Sequence, residues 1–142
     1  MTSNLDPSLH APASRGQWQA IDLLGKIKLI DEHWQPCVVA EMNDYQFKVV
    51  KLAGDFVWHA HSDTDETFIV LEGELRIDVR GVDSGDSPII LRAGQMAVVP
   101  KGVEHKPCAN GEVKLLLIEP RGVVNTGDGA ASERTAANDQ WI

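Results

Sequence analysis

The sequence predicts an all-β fold, either an antiparallel sandwich or a jelly-roll barrel, and three observations point to it. About nine short runs rich in Val, Ile, Leu and aromatic residues follow one another, separated by Gly, Pro, Asn and Asp. Their spacing of roughly 8–12 residues suits short strands joined by tight turns. Helix signal is almost confined to residues 17–25, where Trp18, Ile21 and Leu24 fall on one face and Gly25 supplies a stop.

The elements are read in chain order. Residues 1–16, rich in Ser, Pro, Ala and Asn and containing His10, are expected to be a flexible arm. A single barrel domain is expected over residues 17–121, with a short N-terminal helix at most. Its strands are read at KIKLID (26–31), CVVAEM (37–42), YQFKVVKL (45–52), DFVWHAH (55–61), TFIVL (67–71), ELRIDVR (74–80), PIILR (88–92), QMAVVP (95–100) and VKLLLIE (113–119). Tyr45, Phe47 and Val49 share one strand face and are expected to line the barrel. Arg76, Asp78 and Arg80 alternate with Leu75, Ile77 and Val79, the pattern of a half-exposed strand. Residues 122–142 lose the periodicity and read as a C-terminal tail, whose last residues, Trp141 and Ile142, are apolar enough to latch onto the barrel mouth or a neighbour.

The 142-residue chain is 43% apolar and carries 13 Lys and Arg against 21 Asp and Glu, a net charge of −8. That length supports one domain with its own core. The acidic balance argues against a nucleic-acid module, which needs a Lys and Arg surplus to neutralise phosphates. No apolar run approaches the ~20 residues of a membrane-spanning helix, and the N-terminus lacks the basic start and apolar stretch of a signal peptide. Two cysteines, Cys37 and Cys108, are too few for a disulfide framework. A reduced, cytoplasmic protein with no membrane or nucleic-acid partner is expected, with Cys108 as a buried structural thiol.

The informative residues are histidines. On a strand, His59 and His61 point to the same face roughly 7 Å apart, so two imidazoles can converge on one metal ion. The polar turn at residues 62–65 then folds the chain back, placing Glu66 beside His61, with Phe68 and Val70 on the same inward face. One hairpin can therefore deliver two nitrogens and one carboxylate oxygen to a single point. His105, just past a Pro-Lys-Gly turn, is a candidate fourth ligand. Asp65 and Glu104 each adjoin a ligand but have opposite strand parity, so both are expected to face outward and not to serve as general bases. His33 reads as a loop residue without a partner at ligand spacing.

The stretch Gly54-x4-His59-x-His61-x4-Glu66-x6-Gly73 resembles the first motif of the cupin superfamily, and Gly94-x5-Pro100-x-Gly102-x2-His105 resembles the second. The match is to small single-domain members with one conserved barrel. Two departures stand out: four residues rather than the usual five lie between Gly54 and His59, and Ala109 holds a position usually occupied by Asn. The resemblance implies a double-stranded β-helix (jelly-roll) barrel, a homodimer, and one divalent transition metal held by His59, His61, Glu66 and His105. Such a nitrogen-rich set suits Fe, Mn, Ni, Co, Cu or Zn rather than Ca or Mg.

No inward-facing acid or base beyond these ligands is legible in the sequence, which leaves the metal to polarise a substrate or activate oxygen. The expected function is a metal-dependent enzyme acting on a small oxygen-rich metabolite, with dioxygenase chemistry favoured over isomerase or lyase chemistry. The alternative is a non-catalytic, metal-dependent protein that binds or senses a small-molecule ligand.

Overall fold

The structure, a computed structural model, describes residues 18–81 and 87–142; the arm read at residues 1–16, with His10, lies outside the described residues. Seven strands are formed: β1 (Cys37–Met42), β2 (Tyr45–Asp55), β3 (Glu66–Glu72), β4 (Glu74–Arg80), β5 (Ile89–Arg92), β6 (Met96–Val99) and β7 (Glu104–Pro120). All pairings are antiparallel, in the order β1-β2-β7-β3-β6, with β4 joined to β5 and β7. Strand β7 closes the architecture. Its first part pairs with β4 from Glu104 to Ala109, and its second part lies between β2 and β3. One strand thus belongs to both layers, as a jelly roll requires. No helix among the described residues is long and apolar enough to cross a membrane.

The barrel interior is filled by Val50, Leu52, Phe68, Val70, Leu75, Ile77, Leu115 and Leu117, all nearly inaccessible to solvent. A second apolar layer lies outside the sheet. There a short helix, α1 (Leu23–Ile27), the one helix among the described residues, packs Ile27 against Val39, Val49 and Leu116, joined by Ile30. Asp22 caps this helix by accepting the Gly25 N–H at 3.0 Å. A helix of one turn is not stable alone, so the burial of Ile27 and Ile30 holds it in place.

Four local expectations need correction. The helix starts later than residues 17–25 and contains Gly25, while Trp18 is exposed. KIKLID is not a strand: Ile27 and Ile30 are buried while Leu29 is 63% exposed, a spacing of three that belongs to helix and turn. DFVWHAH is not a regular strand beyond Asp55; it contributes only an isolated bridge between His59 and His105. Finally, the faces of β2 are reversed. Gln46, Lys48, Val50 and Leu52 point into the barrel, whereas Phe47 and Val49 pack under α1 and Tyr45 is exposed. Both faces of β2 are covered, so its alternation cannot reveal which one is inside. The polar residues are tolerated there because they find partners within the barrel.

Residues 122–142, set apart in the sequence by their lost periodicity, lie against the barrel. Val38 N–H donates to Gln140 O at 2.6 Å and Ile142 N–H to Val38 O at 3.1 Å, so the chain end pairs with β1. Ile142 also joins the outer apolar layer.

The turn between β3 and β4 gives a test of this packing. Gly73 has φ +90°, and a Cβ there would sit 2.8 Å from the Glu112 carbonyl oxygen, whereas Gly111, at φ +86°, faces open space. Gly111→Ala is expected to cost about 1–2 kcal/mol from the backbone alone. Gly73→Ala is expected to cost about 1–3 kcal/mol more through overpacking, measured by urea unfolding. Equal losses at the two sites would contradict the close approach of β7 to this turn.

Candidate metal centre

The sequence-predicted ligands come together at one end of the barrel. His59 and His105 exchange backbone hydrogen bonds, His59 N to His105 O at 3.0 Å and His105 N to His59 O at 2.8 Å. His61 is fixed through its carbonyl, which accepts the Gly102 N–H at 2.8 Å. That contact explains the Pro100-Lys101-Gly102 turn: with φ +81°, Gly102 adopts a conformation other residues resist. Glu66 opens β3, opposite Val99 of β6. The donor atoms of His59, His61, Glu66 and His105 lie within 4.8 Å of one another, and all four residues are buried.

The tautomers are set by the backbone. His59 Nδ1 lies 2.9 Å from Val57 O and His105 Nδ1 lies 2.9 Å from Val103 O. A carbonyl can only accept, so each Nδ1 carries the hydrogen and each Nε2 presents a lone pair. Yet His105 Nε2 stands 3.2 Å and His61 Nε2 3.3 Å from the same oxygen, Glu66 Oε1. His61 Nε2 is within this distance but misaligned, and it has no hydrogen-bond partner. The lone pair of a neutral His105 facing a carboxylate oxygen repels it unless a cation lies between them. Three imidazoles and one carboxylate therefore form a group that could hold a metal ion, and the donor chemistry suits a transition metal.

Electrostatics agree with this picture. Burial, reinforced by the neighbouring His105, lowers the His59 pKa to about 4, which keeps the ring neutral. For Glu66, burial alone would raise the pKa; hydrogen bonds from His105 and His61 with protonated Nε2 atoms outweigh it and hold the carboxyl below its usual range, and with neutral rings a bound cation would take the place of those protons.

Asp65 and Glu104 face outward as expected. Asp65 Oδ1 accepts the Lys101 N–H at 2.9 Å, and Glu104 pairs with Arg80 at 3.0 Å on the surface. His33 pairs with Glu112 at 2.8 Å, far from the ligands in a half-exposed position. Cys108 is buried, and desolvation raises its thiol pKa, consistent with an unreactive thiol. Arg76 and Asp78 pair at 2.8 Å on the outer face.

An inward-facing acid does exist, contrary to the sequence reading. Glu119 of β7 is 1% exposed, with Oε1 2.9 Å from Lys48 Nζ. The distance suggests an ion pair, but burial and the adjacent Glu66 charge outweigh Lys48 and raise the Glu119 pKa well above the usual range. The protonated form fits the site better. Glu119 Oε2 receives no donor, and a proton on it can be given to the Glu66 carboxylate. The signal for this residue was weak, because a glutamate ending the apolar run VKLLLIE reads as a strand terminus.

Above the ligands lies an apolar cavity of about 30 Å³, lined among others by Trp34, Phe56, Phe68, Leu117, His59 and Glu66, with room for only one or two waters. Trp34 stacks on Phe56 with ring centroids 4.7 Å apart, and the edge of Phe56 meets His59 at 5.1 Å. Trp34 carries φ +64° and is nonetheless buried, its Nε1–H donating to Ala53 O at 2.9 Å. Trp34 lies between the runs read as strands at 26–31 and 37–42, so no periodicity marked it.

Two outcomes follow. Unfolded histidine takes up a proton near its ordinary value of 6.5, folded His59 only near about 4. Between those values the unfolded state binds more protons, so the metal-free protein loses stability as pH falls, by on the order of 3 kcal/mol. Urea midpoints measured from pH 7 to pH 4 should show this slope, and His59→Asn should flatten it; an unchanged slope would contradict the assignment. Glu119→Gln keeps an acceptor for Lys48 and a donor for Glu66, so a change below about 1.5 kcal/mol is expected. Glu119→Met strands a buried ammonium and should cost about 3–5 kcal/mol. Equal unfolding free energies for the two variants would remove the neutral-acid assignment.

Comparison with known proteins agrees with this geometry. A family model described as the cupin domain matches residues 47–119. A cupin-2 domain protein of Shewanella frigidimarina is 56% identical, with a TM-score of 0.68; the match covers 74% of this chain and 98% of that one. An uncharacterised Bacillus subtilis protein, YdbB, is 38% identical over 68 residues, covering 48% of this chain and 57% of its own length. Hydroquinone 1,2-dioxygenase of Sphingomonas sp. TTNP3, solved with 4-hydroxybenzoate bound, is 27% identical with a TM-score of 0.64; the match covers 72% of this chain but only 32% of that one. A family match over half of the chain, a relative matched along nearly its full length and a ligand set in motif order lead to one conclusion: this chain belongs to the cupin-domain family.

Proposed function

We propose that the protein is a metal-dependent enzyme acting on a small oxygen-bearing ring compound of the phenol class, with dioxygenase chemistry favoured over isomerase or lyase chemistry. The carrying observation is the convergence of three imidazoles and one carboxylate beside an aromatic-walled cavity that His59 and Glu66 line. His59, His61, Glu66 and His105 would hold the ion, with Fe, Mn, Co, Ni, Cu and Zn all suited to such donors. When bound, a divalent ion of this kind supplies Lewis-acid polarisation of a substrate oxygen and, if redox-active, a route for electrons to O2.

The chain's own residues supply the rest. Trp34, Phe56 and Phe68 offer flat apolar surfaces that exclude water and favour a ring. Val57 and Val103 carbonyls hold the two histidine tautomers in place. Glu119 keeps a proton beside Glu66, on the side away from solvent. Similarity to a hydroquinone dioxygenase solved with a phenolic acid bound supports the substrate class, although the match covers a third of that protein. A second reading, a pocket that binds or senses a small ligand without changing it, draws on how little space the cavity leaves.

The test is elemental analysis of purified protein, followed by oxygen uptake of the Fe(II)-loaded form with hydroquinones, catechols and phenols. About one transition-metal ion per chain is expected, falling about tenfold or more in Glu66→Ala or His105→Ala. Unchanged metal content in those variants would overturn the ligand assignment. A flat oxygen response across the panel would remove dioxygenase chemistry, and recovery of the ring compound unaltered would favour the binding reading.

A further inference from the structure

We propose that residues 122–142 form a strap that closes the metal cavity and sets the size of ligand it admits. The second half of this statement rests on the ring-compound reading above; the first half does not.

The path of the segment is the first argument. After leaving β7, its Val123 carbonyl accepts Lys48 Nζ at 3.4 Å inside the barrel. Asn125 then lines the cavity and donates to Trp34 O at 3.4 Å. Asp128 N–H donates to Ala60 O at 2.8 Å, and Asp128 Oδ2 accepts Ser62 N–H at 3.0 Å, so the strap grips the loop that carries His59 and His61 from both sides. Further on, Asp139 Oδ1 accepts Gln46 Nε2 at 2.8 Å before the chain end pairs with β1.

The glycines are the second argument. Gly127 has φ +53°, and a Cβ there would lie 2.8 Å from His61 Nδ1 and even closer to the Ala60 carbonyl. A Cβ at Gly129 would lie 3.3 Å from His59 Cβ. At Gly127 only a residue without a side chain lets the strap backbone rest directly on the His61 imidazole, and Gly129 lies close against the His59 Cβ.

The third argument is how this segment is held. Asn125 Nδ2 donates to Arg134 O at 2.7 Å, its Oδ1 accepts Ala136 N–H at 2.9 Å, and the Thr126 and Thr135 hydroxyls meet at 3.2 Å, so residues 125–136 fold onto themselves. Between Gly122 and Ala136 only Thr126 and Ala136 are buried. With few buried apolar side chains, this stretch is held mainly by polar bonds, several of them part-buried, and stretches with so little apolar packing are where ligand-gating elements are found. A six-membered ring does not fit in about 30 Å³, so admission requires part of the wall to move, and Asn125 is the strap's share of that wall. The family match ends at residue 119, before the strap begins.

Diethylpyrocarbonate labelling of the metal-free, full-length protein, read residue by residue by mass spectrometry, tests the closure. His33, with 41% of its side chain exposed, is the internal reference. His59 and His61 should react about tenfold more slowly than His33 in the intact chain. Gly127→Val, which lifts the strap, should reduce that protection to about threefold or less, with far-UV circular dichroism unchanged. A chain ending at Arg121 should show the same gain. If that shortened chain does not fold, Gly127→Val decides alone. Reaction of His61 as fast as His33 in the intact protein, or full protection retained in Gly127→Val, overturns the strap. For the size limit, Co(II)-loaded protein is titrated with phenol, 1-naphthol and 4-phenylphenol. The intact chain should bind phenol about tenfold more tightly than the larger probes, and Gly127→Val should narrow that gap. Equal binding of all three by the intact chain overturns the size limit. Protected histidines in a protein that binds no phenol would leave the closure standing and remove the ring-compound reading instead.

Discussion

A buried carboxylate among three imidazoles is the constraint from which the rest of this molecule follows. Glu66 is 4% exposed, and an unpaired carboxylate in such a place would be costly. Neutral His59 and His105 cannot relieve it as simple donors, because the Val57 and Val103 carbonyls already claim their Nδ1 hydrogens. A cation at the point of convergence could supply part of the compensation, and groups behind the carboxylate supply more. Lys48 and Glu119 are those groups, with β2 and β7 delivering an ammonium and a protonated carboxyl to the barrel interior. A polar cluster of this kind belongs in a core only when its members are satisfied together.

The same constraint explains why β7 is so long. It must place His105 against His59 at its start and Glu119 near Glu66 at its end, and its 17 residues cross both layers to do so. The motif glycines serve the turns between these points, and Gly102 anchors His61 through its own N–H. The second motif is thus mechanically tied to the first, and the ligand geometry is a property of the whole barrel end rather than of one hairpin.

The aromatic-walled space admits only one or two waters, and the backbone at Gly127 and Gly129 lies against the loop that carries His59 and His61. Little water is left there to screen electrostatic interactions, which strengthens them. The stacked Trp34 and Phe56 belong to this arrangement: Trp34 is held in a positive-φ conformation by hydrogen bonds from both its backbone N–H and its indole.

The sequence by itself determined the all-β class, most strand positions and the four candidate ligands, because local alternation and fixed motif spacing survive in one dimension. CVVAEM became β1 without adjustment, and His59, His61, Glu66 and His105 were legible from type and order alone. Only the tertiary structure decided which face of β2 is inside, because both faces are covered and polarity there reports partners rather than solvent. The roles of Glu119, Lys48, Trp34 and residues 122–142 were decided in the same way. Each depends on a contact with a residue distant in the chain: Glu119 with Lys48, Trp34 with Phe56, and Gly127 with His61. No periodicity records such pairs, because their meaning arises only when separate strands close around a common interior.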